Sequence, residues 1–255
     1  MDKNKFFKFC FSIEPSVFPD TAVITPFIPV KNFEKNSKRI TSFKGRVYSG
    51  VILEKNKHRF AVIRSGMGAS FAGDAVLFMK NTSIRRIIFA GACGGLGETR
   101  IGDIVLCDKA FDGETFSKYH LPDFSMKQVF DKGTFKSANR EYLKLAETFL
   151  FAKLNEIGTV RTGTVFSIGS LLAETSQNLS EIETQGFLGI DLELAAVYHA
   201  ATASRIAAIG LIFVSDLPRT KPLWGNMTAL DKKNYNNGLN NLVENAIELA
   251  VLKKA

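Results

Sequence analysis

Two stretches decide how this chain is read: Ile190-Asp191-Leu192-Glu193-Leu194-Ala195-Ala196, and the run Ile209-Gly210-Leu211-Ile212-Phe213-Val214 that ends in Ser215-Asp216. The first sets a carboxylate, Glu193, at the start of an apolar, helix-like segment. The second ends a β-rich run on another carboxylate, Asp216. In open α/β sheets, ligands bind outside the carboxyl ends of the strands. Two acids at such a rim suit a ligand with hydroxyls to grip and a ring nitrogen to protonate. Isolated charges are costly to bury, so each acid serves either a structural ion pair or a ligand. A helix N-terminus is a further source of support for Glu193.

Outward from these stretches the chain alternates strand-like and helix-like segments. The candidate strands are 21–25, 46–54, 60–65, 86–90, 104–110, 161–167, 189–191 and 207–214. Each is short, rich in β-branched or aromatic residues and bounded by Gly, Pro or polar residues. The candidate helices are 69–81, 139–154, 193–203 and 231–253. The last carries Leu239, Leu242, Val243, Ala246, Leu249 and Ala250 at helical spacing. The order predicts an α/β fold with a central mixed β-sheet flanked by helices. No repeat, low-complexity tract or Pro/Gly-rich linker divides the 255 residues, so a single domain over 1–255 is expected.

The composition, 45% hydrophobic and 23% charged, is that of a globular chain, and the 22 Phe predict a Phe-rich core. The formal net charge is +8, but clusters such as 31–39 and 55–59 are short and interrupted, so no nucleic-acid partner is expected. The cysteines, Cys10, Cys93 and Cys107, are odd in number and widely spaced, which argues against disulfides and zinc. His58, His120 and His199 have no metal-ligand spacing. The apolar patch 6–13 is cut short by Glu14 and Pro15. No membrane span or signal peptide is read, and a reducing cytoplasm is expected.

Three further segments suit a site. Arg64-Ser65-Gly66-Met67-Gly68 lies between a strand and a helix, where glycines let backbone N–H groups approach an anion. A tight turn accounts for the same glycines. Phe89-Ala90-Gly91-Ala92-Cys93-Gly94-Gly95-Leu96 closes a strand with small residues, which leave room for a flat ring or for close backbone packing. Gly163-Thr164-Val165-Phe166-Ser167 runs into an irregular stretch, 169–175, that lines a pocket or crosses the surface.

Together and in this order, these segments, with Gly102-Asp103, resemble the nucleoside phosphorylase and nucleosidase superfamily. The resemblance covers roughly residues 20 to 250. Phe111-Asp112-Gly113-Glu114-Thr115 to Tyr119-His120-Leu121-Pro122 is similar to the uridine-phosphorylase-like branch. The resemblance implies that Glu193 grips the ribose 2′- and 3′-hydroxyls. Leu192, where the family usually has Met, would pack under the sugar. Asp216 would be the catalytic acid that protonates or hydrogen-bonds the departing base. Ala92, Cys93, Gly94, Ser167 and Ser215 would line the nucleoside pocket. Lys232 matches a cation that assists the acid in some members, and a solvated helix face is its alternative role.

The departures are equally specific. Family phosphorylases carry a Gly-Asp-Pro-x-Arg loop after the first strand, where this chain has Thr25-Pro26-Phe27-Ile28-Pro29-Val30. The Arg and the hydroxyl residue of the next phosphate turn correspond to Phe89 and Ala92. Gly66 and Arg46 are the remaining candidates for phosphate, with Lys31 and Arg64 as further cations, and Arg46 could act across a subunit boundary. The water-activating Glu of nucleosidases is also missing. The uracil-reading pair of Gln and Arg does not appear in 171–177, which ends in Gln177 but has no Arg, and Glu174 stands there without an assigned partner.

The resemblance therefore implies cleavage of the N-glycosidic bond of a purine nucleoside. Inorganic phosphate is the favoured acceptor and co-substrate, giving free base and ribose 1-phosphate. Water as acceptor, a uridine phosphorylase and a nucleoside-binding protein without turnover are the alternatives. No metal or organic cofactor is implied, and a homo-oligomer, a dimer or trimer of dimers, is expected.

Overall fold

The computed structural model describes residues 2–35, 37–113, 116–153 and 159–252. Of the sequence expectations, Glu114, Thr115 and the helix ends at Leu154 and Lys253 lie outside the described residues.

The buried strand β1 (Thr21–Thr25) runs parallel to β4 (His58–Arg64) on one side and to β5 (Arg86–Gly95) on the other. Beyond β4, the strands β3 (Ser49–Lys55) and β2 (Lys38–Lys44) continue as an antiparallel meander. The other direction leads into a ring. β5 pairs in parallel with β10 (Ala207–Asp216), and β10 pairs antiparallel with β6 (Ile104–Gly113). β6 is parallel to β8 (Val160–Ile168), and β8 is parallel to the three-residue β9 (Gly189–Asp191). β9 returns antiparallel to β5 and closes the ring. A short β7 (Phe135–Ser137) pairs with β6. The mixed sheet expected from the sequence is thus present, and its twist closes five of its strands on themselves.

Among the described residues the helices are α1 (Lys3–Phe11), α2 (Ala69–Met79), α3 (Met126–Lys132), α4 (Arg140–Phe151), α5 (Ser176–Thr184), α6 (Leu194–Ser204) and α7 (Ala229–Val251). One face of the sheet packs on α2 and α6, with Val76, Met79, Leu194 and Val197 buried. The other packs on α4 and α7 through Leu150, Leu242, Ala246 and Leu249. A third cluster gathers Phe111, Phe166, Phe187 and Ile190 beside α3 and α5. The Phe-rich core is borne out: Phe7 and Phe11 stack at 4.5 Å and meet Phe18 edge-on. Each such buried side chain contributes about 1.5–3 kcal/mol over an exposed one.

Several boundaries differ from expectation for physical reasons. The patch 6–13 is part of α1, whose N-terminus is capped by Asp2 and whose C-cap, Ser12, is left-handed. Candidate strand 46–54 starts only at Ser49, because 45–48 make the turn from β2. That strand is mostly exposed and so carries little apolar signal. Candidate helix 193–203 starts one residue later, with Glu193 as its cap. The short α3, β7 and α5 also lacked a readable period.

α7 is held close to the sheet by a glycine contact. Gly102 has φ +95°, and a Cβ at Gly238 would lie 2.7 Å from the Gly102 Cα. Gly238→Val is therefore expected to destabilise the protein by about 1–3 kcal/mol through overpacking. In thermal unfolding this corresponds to a fall of ~2–4 °C in Tm per kcal/mol. An unchanged Tm would mean that α7 does not need this approach.

Candidate active site

The ring brings strand ends together by register. Gly94 of β5 pairs with Ile190 of β9 on one side and with Asp216 of β10 on the other. Ser167 of β8 pairs with Asp191 of β9. β10 carries a bulge between Val214 and Asp216, with Val214 opposite Cys93 and Asp216 opposite Gly94. Ser215 is the extra residue. A bulge redirects the side chain that follows it, here the carboxyl of Asp216.

Asp191 is the buried hub of this convergence. Its Oδ1 accepts from Ser167 Oγ at 2.6 Å, and its Oδ2 accepts from the N–H of Glu193 at 3.0 Å and of Leu194 at 2.7 Å. Ser167 Oγ in turn accepts from the Ala195 N–H at 3.0 Å. The N-terminus of α6 is thus tied to β8 and β9. Glu193, 5% exposed, then reaches across to α2, its Oε1 accepting from the Gly68 N–H at 2.7 Å. Gly68 caps α2 at φ +103°. The two helices approach closely, a Cβ at Gly73 falling 3.6 Å from the Ala196 Cβ.

Asp216, 6% exposed, accepts from the Leu223 N–H at 3.0 Å through Oδ2. Its Oδ1 lies 2.7 Å from Ser215 Oγ, which also lies 3.1 Å from the Cys93 carbonyl. A protonated Asp216 can donate to Ser215 while Ser215 donates to Cys93 O. Burial favours that state by raising the Asp216 carboxyl, against the Ser215 and Leu223 hydrogen bonds that stabilise the carboxylate.

Glu174 joins Asp216 from the turn after β8. Thr175 caps α5, and Asn178 Nδ2 donates to Ala173 O at 2.8 Å, which fixes this turn. Burial and the nearby Asp216 push the Glu174 carboxyl up to about 7. Burial and the neighbouring Asp191 push Glu193 up to about 8, and burial raises Asp191 as well. Among the described residues, no ion pair includes any of these four acids.

The other expected site residues are placed as follows. Leu192 is half-buried against the Phe166 and Phe187 cluster. Cys93 lies beneath the acids, its thiol pushed well up by burial and by Asp191, which makes it an inert floor. The room expected beside the strand-end glycines is largely filled. A Cβ at Gly91 would meet the Phe89 ring at 2.8 Å, and one at Gly94 would meet Pro218 at 2.3 Å. Close packing, rather than an open slot for a flat ring, explains those two glycines. Ala92 packs against the α4 and α7 side.

The anion candidates sit on the rim. Gly66 has φ +83°, Arg46 lies in the exposed β2–β3 turn, and Arg64 is opposite Ser49 at the same end of the sheet. Phe89, which takes the place of the expected Arg, is fully buried. Lys232 is exposed, as a solvated helix face would have it. The nearby Lys221 is engaged by Asp231 at 2.8 Å. Among the described residues no group of His, Cys, Asp or Glu is arranged to hold a metal ion. No described helix is long and apolar enough to cross a membrane.

Residues 24–248 match the sequence pattern of the phosphorylase superfamily. The chain belongs to that family. Its relatives include the DeoD-type purine nucleoside phosphorylase of Buchnera aphidicola subsp. Baizongia pistaciae. That relative is 26% identical over 231 residues, 88% of this chain and 87% of the relative. A DeoD-type purine nucleoside phosphorylase of Shewanella denitrificans is 25% identical over 86% of each chain. Among solved structures, uridine phosphorylase from Vibrio fischeri ES114 superposes with a TM-score of 0.73 at 18% identity, covering 93% of this chain and 92% of that one. The 5′-methylthioadenosine/S-adenosylhomocysteine nucleosidase of Neisseria meningitidis, in complex with methylthio-immucillin-A, gives 0.64 at 17% identity, covering 91% and 96%. These two superpositions bear on the fold alone. In this phosphorylase-superfamily chain, reading by sequence alone left the role of Asp191 and the neighbour of Glu174 unassigned. An Asp two and three residues before the first helical N–H groups was the available signal for Asp191.

The raised acids set the sign of the pH dependence. Glu174 and Glu193 hold protons in the folded state that the unfolded chain releases near its ordinary 4.5. Stability is therefore expected to fall as pH rises from about 5 to about 8. Thermal unfolding across that range should show a declining Tm, and Glu174→Gln should flatten part of the decline. A Tm that climbs throughout the window would contradict the burial of these groups.

Proposed function

We propose that this phosphorylase-superfamily chain cleaves the N-glycosidic bond of a purine nucleoside. The observation that carries the reading is the pairing of two buried acids with different partners on one rim. Asp216 is held by burial toward its protonated form, so it can give its proton to a purine ring nitrogen as the bond breaks. Glu193, whose carboxyl is held by the Gly68 and Leu192 N–H groups, is placed to accept from ribose hydroxyls. Those donors stabilise its carboxylate, and the negative charge then faces the oxocarbenium-like sugar of the transition state. Leu192 gives an apolar support to the sugar. Glu174, beside Asp216, is suited to accept a hydrogen bond from the edge of the base. The purine assignment is supported by the names of the relatives and by the absence of an Arg from the stretch 171–177 that holds Glu174.

Inorganic phosphate is the proposed acceptor, giving ribose 1-phosphate. The glycine turn at the start of α2 and the rim cations Arg46 and Arg64 support it. Water is the second reading. Buried Phe89 in place of an Arg, and a site rich in carboxyls without an ion pair, both favour a neutral acceptor. Assembly into dimers or trimers of dimers is supported by large apolar side chains left exposed around the rim, among them Met67, Phe71, Leu172 and Trp224.

Base release from purine and pyrimidine nucleosides, with and without phosphate, tests the reading. Release that needs phosphate identifies a phosphorylase, and release indifferent to phosphate a nucleosidase. Asp216→Asn is expected to lower kcat by ~10²–10⁴-fold while nucleoside binding persists. Binding without release from any nucleoside by the unaltered chain would replace the enzyme with a nucleoside-binding protein.

A further inference from the structure

The opposite edge of the sheet holds a second cavity. β1, β4, β5 and β10 all begin there, and a cleft of about 1020 Å³ opens between their amino ends and the helices α4 and α7. Arg86 is the first residue of β5, and Asp216 ends the adjacent β10. Ten strand residues at about 3.3 Å each put the two places about 30 Å apart. The cleft therefore belongs to a different part of the molecule from the four acids.

Its charge is opposite to that of the acid site. Lys57, Arg59, Arg85, Arg86 and Lys144 line it, against the carboxylates of Asp20 and Glu141. An adjoining recess of about 590 Å³ shares Arg85 and adds Arg140 and Arg205, with no acid in its lining. Several of these cations are held in place. Arg86 donates to the Leu252 carbonyl at 2.9 Å and lies over the Tyr142 ring, 5.7 Å from its centre. Asp20, 3.9 Å away and mostly solvated, offsets little of its charge. Arg85 donates to the carbonyls of Thr82 and Ile84. Lys57 occupies the second place of a tight β3–β4 turn at φ +64°, after Asn56 at +51°. Glycine is the residue favoured at that place.

Two further observations point to a ligand. Tyr142 is among the residues that line the cleft, and its ring carries the Arg86 guanidinium on one face, which fixes that cation at the wall. In addition, α4 begins at the cleft with Asn139 as its cap, which adds a helix N-terminus favourable to anions. Leu145, Val251 and Leu252 with the Tyr142 ring provide an apolar wall for a flat group.

We propose that this cleft is a binding site for a phosphorylated, ring-bearing small molecule of nucleotide type, separate from the acid site. The cations take the phosphates. The ring lies along the apolar wall. This assignment holds whichever base or acceptor is used at the other edge.

Calorimetric titration of the full chain with ATP tests it. Saturable binding is expected, unchanged in Glu193→Gln and weakened about tenfold or more by the double charge reversal Lys57→Glu with Lys144→Glu. Both lysines are surface residues, so Tm should be preserved. Adenosine and tripolyphosphate should each bind at least tenfold more weakly than ATP at the cleft. Absence of ATP binding would overturn the proposal. So would binding abolished by Glu193→Gln but kept in the charge-reversed variant, or tripolyphosphate binding as tightly as ATP. A single-stranded oligonucleotide that displaces ATP and binds more tightly would assign the cleft to nucleic acid instead.

Discussion

The carboxylate of Asp191 is the contact on which the acid site depends. It receives three hydrogen bonds, from Ser167 and from two backbone N–H groups at the start of α6. Without them the first N–H groups of that helix would be buried with no partner. With them, β8, β9 and α6 share one fixed point. Glu193 is the neighbour of that point in the chain, so its direction is set before any ligand arrives. Its bond to Gly68 then aligns the start of α2 with the start of α6.

The same geometry crowds carboxyl groups. Asp191, Glu193, Asp216 and Glu174 are all raised by burial, and among the described residues none is in an ion pair. A buried carboxyl without a cation is stabilised by keeping its proton. The cost to the fold is concentrated at the carboxyl ends of β8, β9 and β10. Elsewhere the acids are treated differently: Asp103 has Arg161 at 3.1 Å, and Asp231 has Lys221 at 2.8 Å with a capping box around Thr228. The cations that give the chain its net charge of +8 include those concentrated at the far edge of the sheet.

Much of this was legible before folding. The periodicity of 231–253 and the apolar run 209–214 mark a helix and a buried strand, since both signals are local. The alternation of such segments implies the mixed sheet. The residues around Glu193 and Asp216, with the glycine segments in order, identify the family. Ser12, Asn56 and Lys57 at positive φ were not legible, nor was the exposed β2, because neither an apolar period nor a glycine announces them.

The sequence alone therefore determined the fold class and the superfamily, and it singled out Glu193 and Asp216, because each is written in contiguous residues. Only the tertiary structure decided that β9 closes a ring and that Ser215 is a bulge that re-aims Asp216. It also decided that Phe89 fills the space under Gly91, that Glu174 comes near enough to Asp216 to be raised by it, and that scattered basic residues meet in one cleft. The reason is physical. Each of these depends on the register between segments far apart in the chain. A one-residue change of register turns a side chain to the other face of a sheet, and no local pattern specifies it.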